Sequence, residues 1–351
     1  MATTKEVVEL LFNADYKGQP EMMKLKKDVS GLADDLSAGV SAVSAFSTAM
    51  LGLEAAALGA SIGLAKSGVE AAGKFNDQFN EIGTLIDATG DDLDRFKQNI
   101  RDYASSSTAS LEDIQAATYN AISAGVDYAD SLDFLSEAEK LSVAGKADLN
   151  SVVQVLTGSL NAYGESADAA GGYSDVLFNT VKNGVTTIPE LASSLGQVTG
   201  LAASLNIPFD ELNSIIATLT ANGLSTGNAI TAIKGALTGI IKPTKDAADA
   251  ANELGIEFDY SALQSKGFAG LMQEIAEKSG DNREAVTKLF GSVEGLNAAL
   301  SLTSEGGAAT FLDKLEEIHS SAGATDQAFL KMKDNAALIK QTLQNNIELT
   351  L

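Results

Sequence analysis

The feature that most constrains this chain is a repeating pattern of short helices between about Leu111 and Ile256. Apolar residues recur there at helical spacing for about three or four turns, and a glycine or a capping residue then ends the run before the pattern begins again. The glycines that predict these helix ends are Gly125, Gly145, Gly164, Gly184, Gly223 and Gly239. The pattern predicts an all-α fold in which short helices are joined by tight glycine turns.

Sequence signals for the starts of these helices accompany the stops. At two of the helix starts, a serine or threonine stands three residues before an acidic residue, as in a capping box. At a third, carboxylates follow a proline, and negative charge is favourable at the positive end of a helix. The residues concerned are Ser110 with Asp113, Thr187 with Glu190 and Pro189 between them, and Pro208 followed by Asp210 and Glu211. Both ends of several helices are therefore predicted from residue type alone.

A second pattern, a heptad repeat, follows Pro20. Its ten positions are spaced alternately three and four residues apart, and all except Gly39 carry apolar side chains. Such a 3.5-residue period is typical of a left-handed coiled coil, although a glycine inside a helix costs about 1 kcal/mol relative to alanine. The repeat predicts self-association. The alternative is one long helix, bent at Gly39, that folds back on the chain's own helices. The seam consists of Met22, Leu25, Val29, Leu32, Leu36, Gly39, Val43, Phe46, Met50 and Leu53.

Part of this seam also has features of a membrane-active stretch, marked by Leu36, Phe46, Leu53, Gly59 and Gly63. No charged residue occurs from Leu36 to Leu53, and Gly59 and Gly63 form a G-x-x-x-G pair. Several serines make the stretch only moderately apolar. A water-soluble helix rich in alanine and serine is the favoured interpretation, and a membrane-active helical protein that inserts residues 36–65 is the alternative.

The charge and composition exclude several kinds of site. The chain has 47 acidic against 24 basic residues and a formal net charge of −23. Specific nucleic-acid binding is disfavoured, because the neutralisation of phosphates requires clustered lysine and arginine. Cysteine is absent and His319 is the only histidine, which excludes disulfides, thiolate metal sites and two-histidine zinc motifs. We therefore predict no metal and no cofactor.

Two matches to the G-x-S-x-G nucleophile pattern, at 59–63 and 223–227, lie in helical surroundings. The nucleophile elbow needs a strand before the serine and a histidine partner. Ser225 is better interpreted as a helix N-cap, and His319 as a residue that suits the negative end of a helix. The sequence predicts no catalytic residue.

Two groups of charged residues are interpreted as solvated helix surfaces. Four aspartates lie between Asp87 and Asp94, but without the spacing or the closing glutamate of a calcium loop. Glu137, Glu139 and Lys140 are expected on an exposed face of their helix rather than as an acid–base pair. Neither group predicts a site.

The C-terminal third of the chain has a looser pattern. Ile256, Phe258 and Tyr260 alternate like a short extended segment, and Asp281 stands three residues before Glu284 as in a capping box. Apolar residues from Thr325 to Leu351 return to heptad-like spacing without a glycine, asparagine or proline stop. We expect one helix there, cut in mid-pattern as if the chain were truncated.

Several ordered segments resemble the core domain of the phage tail tape measure proteins, in the family named after the lactococcal phage TP901-1. The main segment is 121–145, AISAGVDYADSLDFLSEAEKLSVAG. The resemblance covers roughly residues 75–350. Its other segments, in order, are Leu156–Gly164, Val181–Gly184, Glu190–Gly196, Leu219–Gly223 and Lys242–Thr244.

The resemblance implies a structural virion protein that sets tail length during assembly and leaves the tail tube ahead of the DNA. It implies partners among tail-tube and tail-tip or baseplate proteins and assembly chaperones, with the host membrane as a further contact at ejection. The implied location is the lumen of a phage tail, and the host cytoplasm during assembly. In a tube of threefold or sixfold symmetry, the resemblance also implies self-association as a parallel trimer or hexamer. The expected subdivision is a leader at 1–20, a coiled-coil helix at 21–72, the family domain at 73–257, further helices at 258–324 and the start of a helical rod at 325–351.

Overall fold

The computed structural model describes residues 73–350, except 281, 305 and 334. Every regular element in these residues is helical and none is a strand, so the predicted all-α fold is confirmed. The heptad seam at 22–53 and the stretch marked by Leu36 and Gly63 lie outside the described residues.

The helices are short and follow one another closely along the chain. A 3₁₀ turn at Ala167–Ala169 precedes the sixth of them. Their bounds are α1 73–83, α2 Asp91–Ser106, α3 Leu111–Ser123, α4 Ser131–Gly145, α5 Leu149–Tyr163, α6 Ala170–Asn183, α7 Ile188–Ser194, α8 Gly196–Ser204, α9 Phe209–Ala221, α10 Thr226–Ile241, α11 Lys245–Leu254, α12 Tyr260–Ser279, α13 Arg283–Leu289, α14 Val293–Thr303, α15 Gly307–His319, α16 Ala324–Met332 and α17 Ala336–Thr350.

The predicted helix starts agree with the structure. The Ser110 side chain accepts a hydrogen bond from the Asp113 amide at 3.1 Å. Thr187 and Glu190 form a complete capping box. The first turn of α9 carries Asp210 and Glu211. Local capping chemistry therefore sets where these helices begin.

Most of the predicted stops are also correct, and one is wrong. Gly164 caps α5 in the left-handed conformation, with a φ of 69°, which costs glycine little. Helix α4 ends at Gly145, but the left-handed cap is Lys146. Gly239 does not end α10, which continues to Ile241 and stops before Pro243. Proline cannot supply the next helical amide, and it disfavours the helical conformation of the residue before it.

The N-cap of α13 is Asn282, whose side chain accepts from the Ala285 amide at 3.1 Å. Asp281, which the sequence suggested for a capping box with Glu284, lies outside the described residues. Two further expectations for the C-terminal third are corrected. Tyr260 begins helix α12 instead of ending an extended segment; this helix is kinked at Gly267, where φ is 70°. The segment expected as one helix from Thr325 contains two, α16 and α17.

Helix α9 lies at the centre of the fold. Its residues 211–220 are all buried, and it packs against α6, α10 and α15. A helix buried on every side must satisfy its polar side chains internally. Its hydroxyl groups donate to the carbonyl four residues earlier, in the pairs Ser214 to Asp210, Thr218 to Ser214 and Thr220 to Ile216.

One continuous hydrophobic core runs from Phe75 on α1 to Phe311 on α15. Helices α14 and α15 pack on α10 and α9, so the core crosses the boundary expected near residue 258. Some of this packing depends on glycine. A side chain at Gly235 of α10 would place its Cβ 2.9 Å from the amide nitrogen of Gly295 on α14.

Candidate functional site

The linker between α2 and α3 is held by a buried carboxylate, that of Glu139 on α4. Glu139 is 6% exposed, which corrects the expectation that it lies on a solvated face. Its Oε2 accepts from the hydroxyls of Tyr103 and Ser107, and its Oε1 accepts from the amide and the hydroxyl of Thr108, each at 2.6 Å. Burial, together with the charge of Glu139, raises the pKa of Tyr103, which keeps this phenol a donor.

Helix α17 holds the same linker through amide side chains. Asn345 is fully buried, and its Nδ2 donates to the carbonyls of Ala104 at 3.0 Å and Ala109 at 2.8 Å. The Nδ2 of Asn346 donates to the carbonyl of Ser105 at 2.8 Å. The final carbonyls of a helix lack partners within it. Asn345 and Asn346 therefore cap the end of α2.

Helix α16 is attached through its N-terminus. The buried carboxylate of Asp175 on α6 accepts from the amides of Gly323 and Thr325 at 2.7 and 2.8 Å. Lys140 on α4 forms ion pairs with Glu137 at 2.7 Å and with Asp326 at 2.8 Å. Negative charge at the start of α16 is favourable because amide hydrogens point out of that end.

We expect Asp175→Ala to loosen α16. Two amide donors lose their acceptor, which should cost about 1–3 kcal/mol. Hydrogen exchange measured by mass spectrometry is expected to accelerate across 323–332. Asp168→Ala, which removes an exposed aspartate close to α6, is the control and should leave exchange there unchanged. Equal protection of α16 in both variants would contradict this role of Asp175.

A third buried carboxylate, Glu211, caps the second half of kinked helix α12. Its Oε1 accepts from the Ala269 amide at 2.5 Å, two residues after the kink at Gly267. Burial raises the pKa of Glu211, the neighbouring Asp210 raises it further, and the Ala269 hydrogen bond opposes them. The protonated form of this side chain is therefore more favoured in the folded state than in the unfolded state.

This shift predicts a pH dependence. The stability that protonated Glu211 contributes is fully present below the unfolded pKa and is lost as pH rises through the raised folded pKa. In Glu211→Gln, which keeps an acceptor for Ala269, that loss is absent. From pH 4 to pH 7, the wild type is therefore expected to lose stability relative to this variant in urea unfolding. The matched comparison is Glu253→Gln at an exposed glutamate. If the difference in free energy of unfolding between the wild type and Glu211→Gln does not change with pH, the prediction is wrong.

The residues considered for chemistry have local structural roles. The Ser225 side chain accepts from the Asn228 amide as the N-cap of α10, as predicted. His319 lies in the last turn of α15, and its Nδ1 is 2.6 Å from Asp210 Oδ2. Asp91, Asp92 and Asp94 lie in the first turn of α2, as predicted. Within the described part of the chain, no group of three acidic, cysteine or histidine residues could hold a metal ion.

A membrane role was the alternative suggested by residues 36–65, which are not described. Among the helices that the structure describes, none has the length and apolarity needed to cross a bilayer.

The described polar clusters bind main-chain amides and carbonyls, and they join helices that are far apart in sequence. The family model for phage-related minor tail proteins matches residues 97–291, more than half of the 351 residues. The chain belongs to the phage-related minor tail protein family.

Three relatives align with about four-fifths of the chain. The probable tape measure protein of Clostridium phage phiCD119 is 24% identical over 308 residues, which cover 80% of this chain and 31% of the relative. The tape measure protein of Pneumococcus phage Dp-1 is 26% identical over 79% of this chain and 24% of the relative. The probable tape measure protein of Escherichia phage P2 is 23% identical over 81% and 36%. The chain therefore spans between about a quarter and just over a third of these relatives. No solved structure matches it.

Sequence reasoning missed the buried polar residues that hold the α2–α3 linker and attach the last two helices. A signal for Glu139 was present, because it stands four residues after the buried Leu135 and on the same side of α4. For Asn345 the signal was weaker. Adjacent asparagines at 345 and 346 are unfavourable inside a helix unless their amides bind a partner.

Proposed function

We propose that this chain acts as part of a tail tape measure protein, a structural protein that sets tail length during assembly. The observation that carries this proposal is the alignment of about four-fifths of the chain with tape measure proteins of three phages. The buried polar clusters support a structural rather than a catalytic role, because each of them holds helices together. In this proposal the protein occupies the lumen of the tail and leaves it ahead of the DNA at ejection.

The described helices form a folded unit rather than an extended ruler. An α-helix rises about 1.5 Å per residue, so a ruler gains most length when its helices lie end to end. In this unit the helices instead pack side by side around α9. We propose that residues 73–350 supply a folded module, which meets tail-tube, tail-tip or baseplate proteins and assembly chaperones, and that length is measured elsewhere in the protein.

The function is tested in the phage or prophage that carries the gene. Deletion of the gene is expected to give no tails, or tails of irregular length, in electron micrographs. Complementation with the wild-type gene should restore uniform tails. Glu139→Ala, which removes a buried carboxylate, should restore them poorly, while Glu137→Ala serves as the control from the same helix. Tails of normal number and length after deletion would overturn the proposal.

Self-association through the heptad seam is a separate part of the proposal. Light scattering of the full chain is expected to give the mass of a trimer or hexamer. Changing both Leu32 and Leu36 to Asp should reduce that mass to a monomer, because charges in a coiled-coil seam oppose association. If the wild-type chain is already monomeric, self-association through the seam is wrong. The tail-length proposal would still be tested by the deletion experiment.

A further inference from the structure

Helix α17 is held in place mainly by hydrogen bonds and contributes no buried apolar side chain to the described core. Of its apolar side chains, Leu349 packs against that core and is half-buried. The Thr342 hydroxyl donates to the Ser107 carbonyl at 2.9 Å, and Arg101 on α2 donates to the Leu349 carbonyl at 2.9 Å. These bonds add to those that the two adjacent asparagines of α17 make with the α2–α3 linker.

Contacts of this kind can be released without opening the core. Water can replace each of the hydrogen bonds, so their net contribution is small compared with the burial of large apolar side chains. The linker also has its own attachment, because Glu139 accepts from Ser107 and Thr108 independently of α17. The linker and the core can therefore stay folded when α17 leaves.

The junction between α16 and α17 allows the two helices to become one. The sequence from 324 to 351 contains neither glycine nor proline. Lys333, which follows α16, keeps helical angles of φ −58° and ψ −27°, and its amide donates to the Phe329 carbonyl at 2.8 Å as in an α-helix. Asn335 interrupts the pattern, because its Oδ1 accepts from the Ala337 amide at 2.9 Å and caps the start of α17.

The apolar spacing supports the same alternative. Apolar residues recur every three or four positions across the junction, so one continuous helix would carry them as a single stripe. In the bent form this stripe is divided between two helices, and its members Ala336 and Ile347 are exposed. The stripe consists of Phe329, Met332, Ala336, Ile339, Leu343 and Ile347.

We propose that α17 is a releasable helix, which exchanges between the docked form and a straight form in which α16 and α17 are one helix over residues 324–350. The straight helix would be about 40 Å long, at about 1.5 Å per residue, and would stay anchored through Asp175, which binds the start of α16. The inference does not depend on the tape measure function. It gives the folded module a way to extend its last helix while the core is unchanged.

The test uses pairs of spin labels in the full chain, whose distances are measured by double electron–electron resonance. The native sequence has no cysteine, so labels attach only where cysteines are introduced. Ser106→Cys with Gln344→Cys reports docking of α17 on the linker. Gln327→Cys with Gln344→Cys reports the straight form, in which 17 residues correspond to about 26 Å. All three positions are exposed, and dilution with unlabelled chain restricts the distances to those within one copy.

The wild type is expected to show mainly the short distance between positions 106 and 344. A release variant combines Thr342→Ala and Asn345→Ala, which remove donors to the linker, with Asn335→Ala, which removes the cap of α17. Together these changes should shift the ratio of straight to docked form by about a hundredfold or more. The short distance should then be lost, and the distance between positions 327 and 344 should become narrow and centred near about 26 Å.

The control is Lys340→Ala with Glu348→Ala, at exposed positions of the same helix, which should leave both distances unchanged. The proposal is overturned if the release variant keeps the short distance, or if the control loses it equally. It is also overturned if the distance between positions 327 and 344 becomes broad, because α17 then unfolds instead of joining α16. If thermal unfolding shows that the release variant does not fold, Asn335→Ala alone decides. It should raise the fraction near about 26 Å about fivefold, and no increase overturns the proposal.

Discussion

Glu139→Ala is expected to lower the free energy of unfolding by about 3 kcal/mol or more, because several donors lose a buried acceptor together. Tyr103, Ser107 and Thr108 all direct donors at this carboxylate at 2.6 Å. The linker that they form also provides the carbonyls on which α17 docks. The loss should therefore extend to the last helix, and hydrogen exchange is expected to accelerate in both 104–110 and 336–350.

Glu137→Ala is the matched control for this prediction. It removes a carboxylate from the same helix, two residues away, whose described ion pair is with Lys140 and which is only half-buried. Its expected cost is below about 1 kcal/mol, as for partly exposed pairs. Urea unfolding of both variants measures these two losses of stability. If the two variants lose similar stability, the Glu139 cluster does not hold the linker.

The second large effect is expected at the crossing of α10 and α14. In Gly235→Ala the new methyl group would lie 2.9 Å from the Gly295 amide nitrogen and 3.0 Å from Ser292 Oγ. Because the first of these atoms belongs to backbone, the helices must separate, and overpacking of this kind costs about 1–3 kcal/mol. Gly235→Val should cost more. Thermal unfolding is the measurement.

The control is Gly158→Ala, at an exposed glycine inside α5 with no atom within 4 Å of the added group. Alanine should stabilise that helix by up to about 1 kcal/mol, which is the opposite sign. Gly295→Ala should resemble Gly235→Ala. The double variant should cost less than the sum, because one separation of the helices relieves both contacts. Additive losses would indicate that the two glycines do not share one contact.

Within the described residues, the heptad spacing predicted helical structure correctly but the number of helices incorrectly. From Thr325 onward, the spacing of Phe329, Met332, Ile339 and Leu343 predicted one helix, but the chain turns between α16 and α17. Helix α17 then docks through Asn345 and its neighbours, while Ile347 stays 43% exposed. Apolar periodicity predicted that these residues are helical. It did not predict which face would be covered, because polar capping of α2 decided the docking.

The all-α class and many helix ends were determined by the sequence itself, because they depend on residues within one turn of each other. Ser110 with Asp113, and Thr187 with Glu190, form their capping hydrogen bonds wherever the chain becomes helical. Likewise, Gly164 ends α5 because glycine adopts the left-handed conformation at little cost.

Only the tertiary structure decided the roles of Glu139, Asp175, Glu211 and Asn345. Their partners lie far along the chain: Asn345 is 241 residues from Ala104, and Asp175 is 150 residues from Thr325. A charged or amide side chain is normally placed at the surface, because its burial without partners is costly. These four are buried because the fold brings unpaired main-chain amides, carbonyls and hydroxyls to them, and the local sequence does not identify those partners.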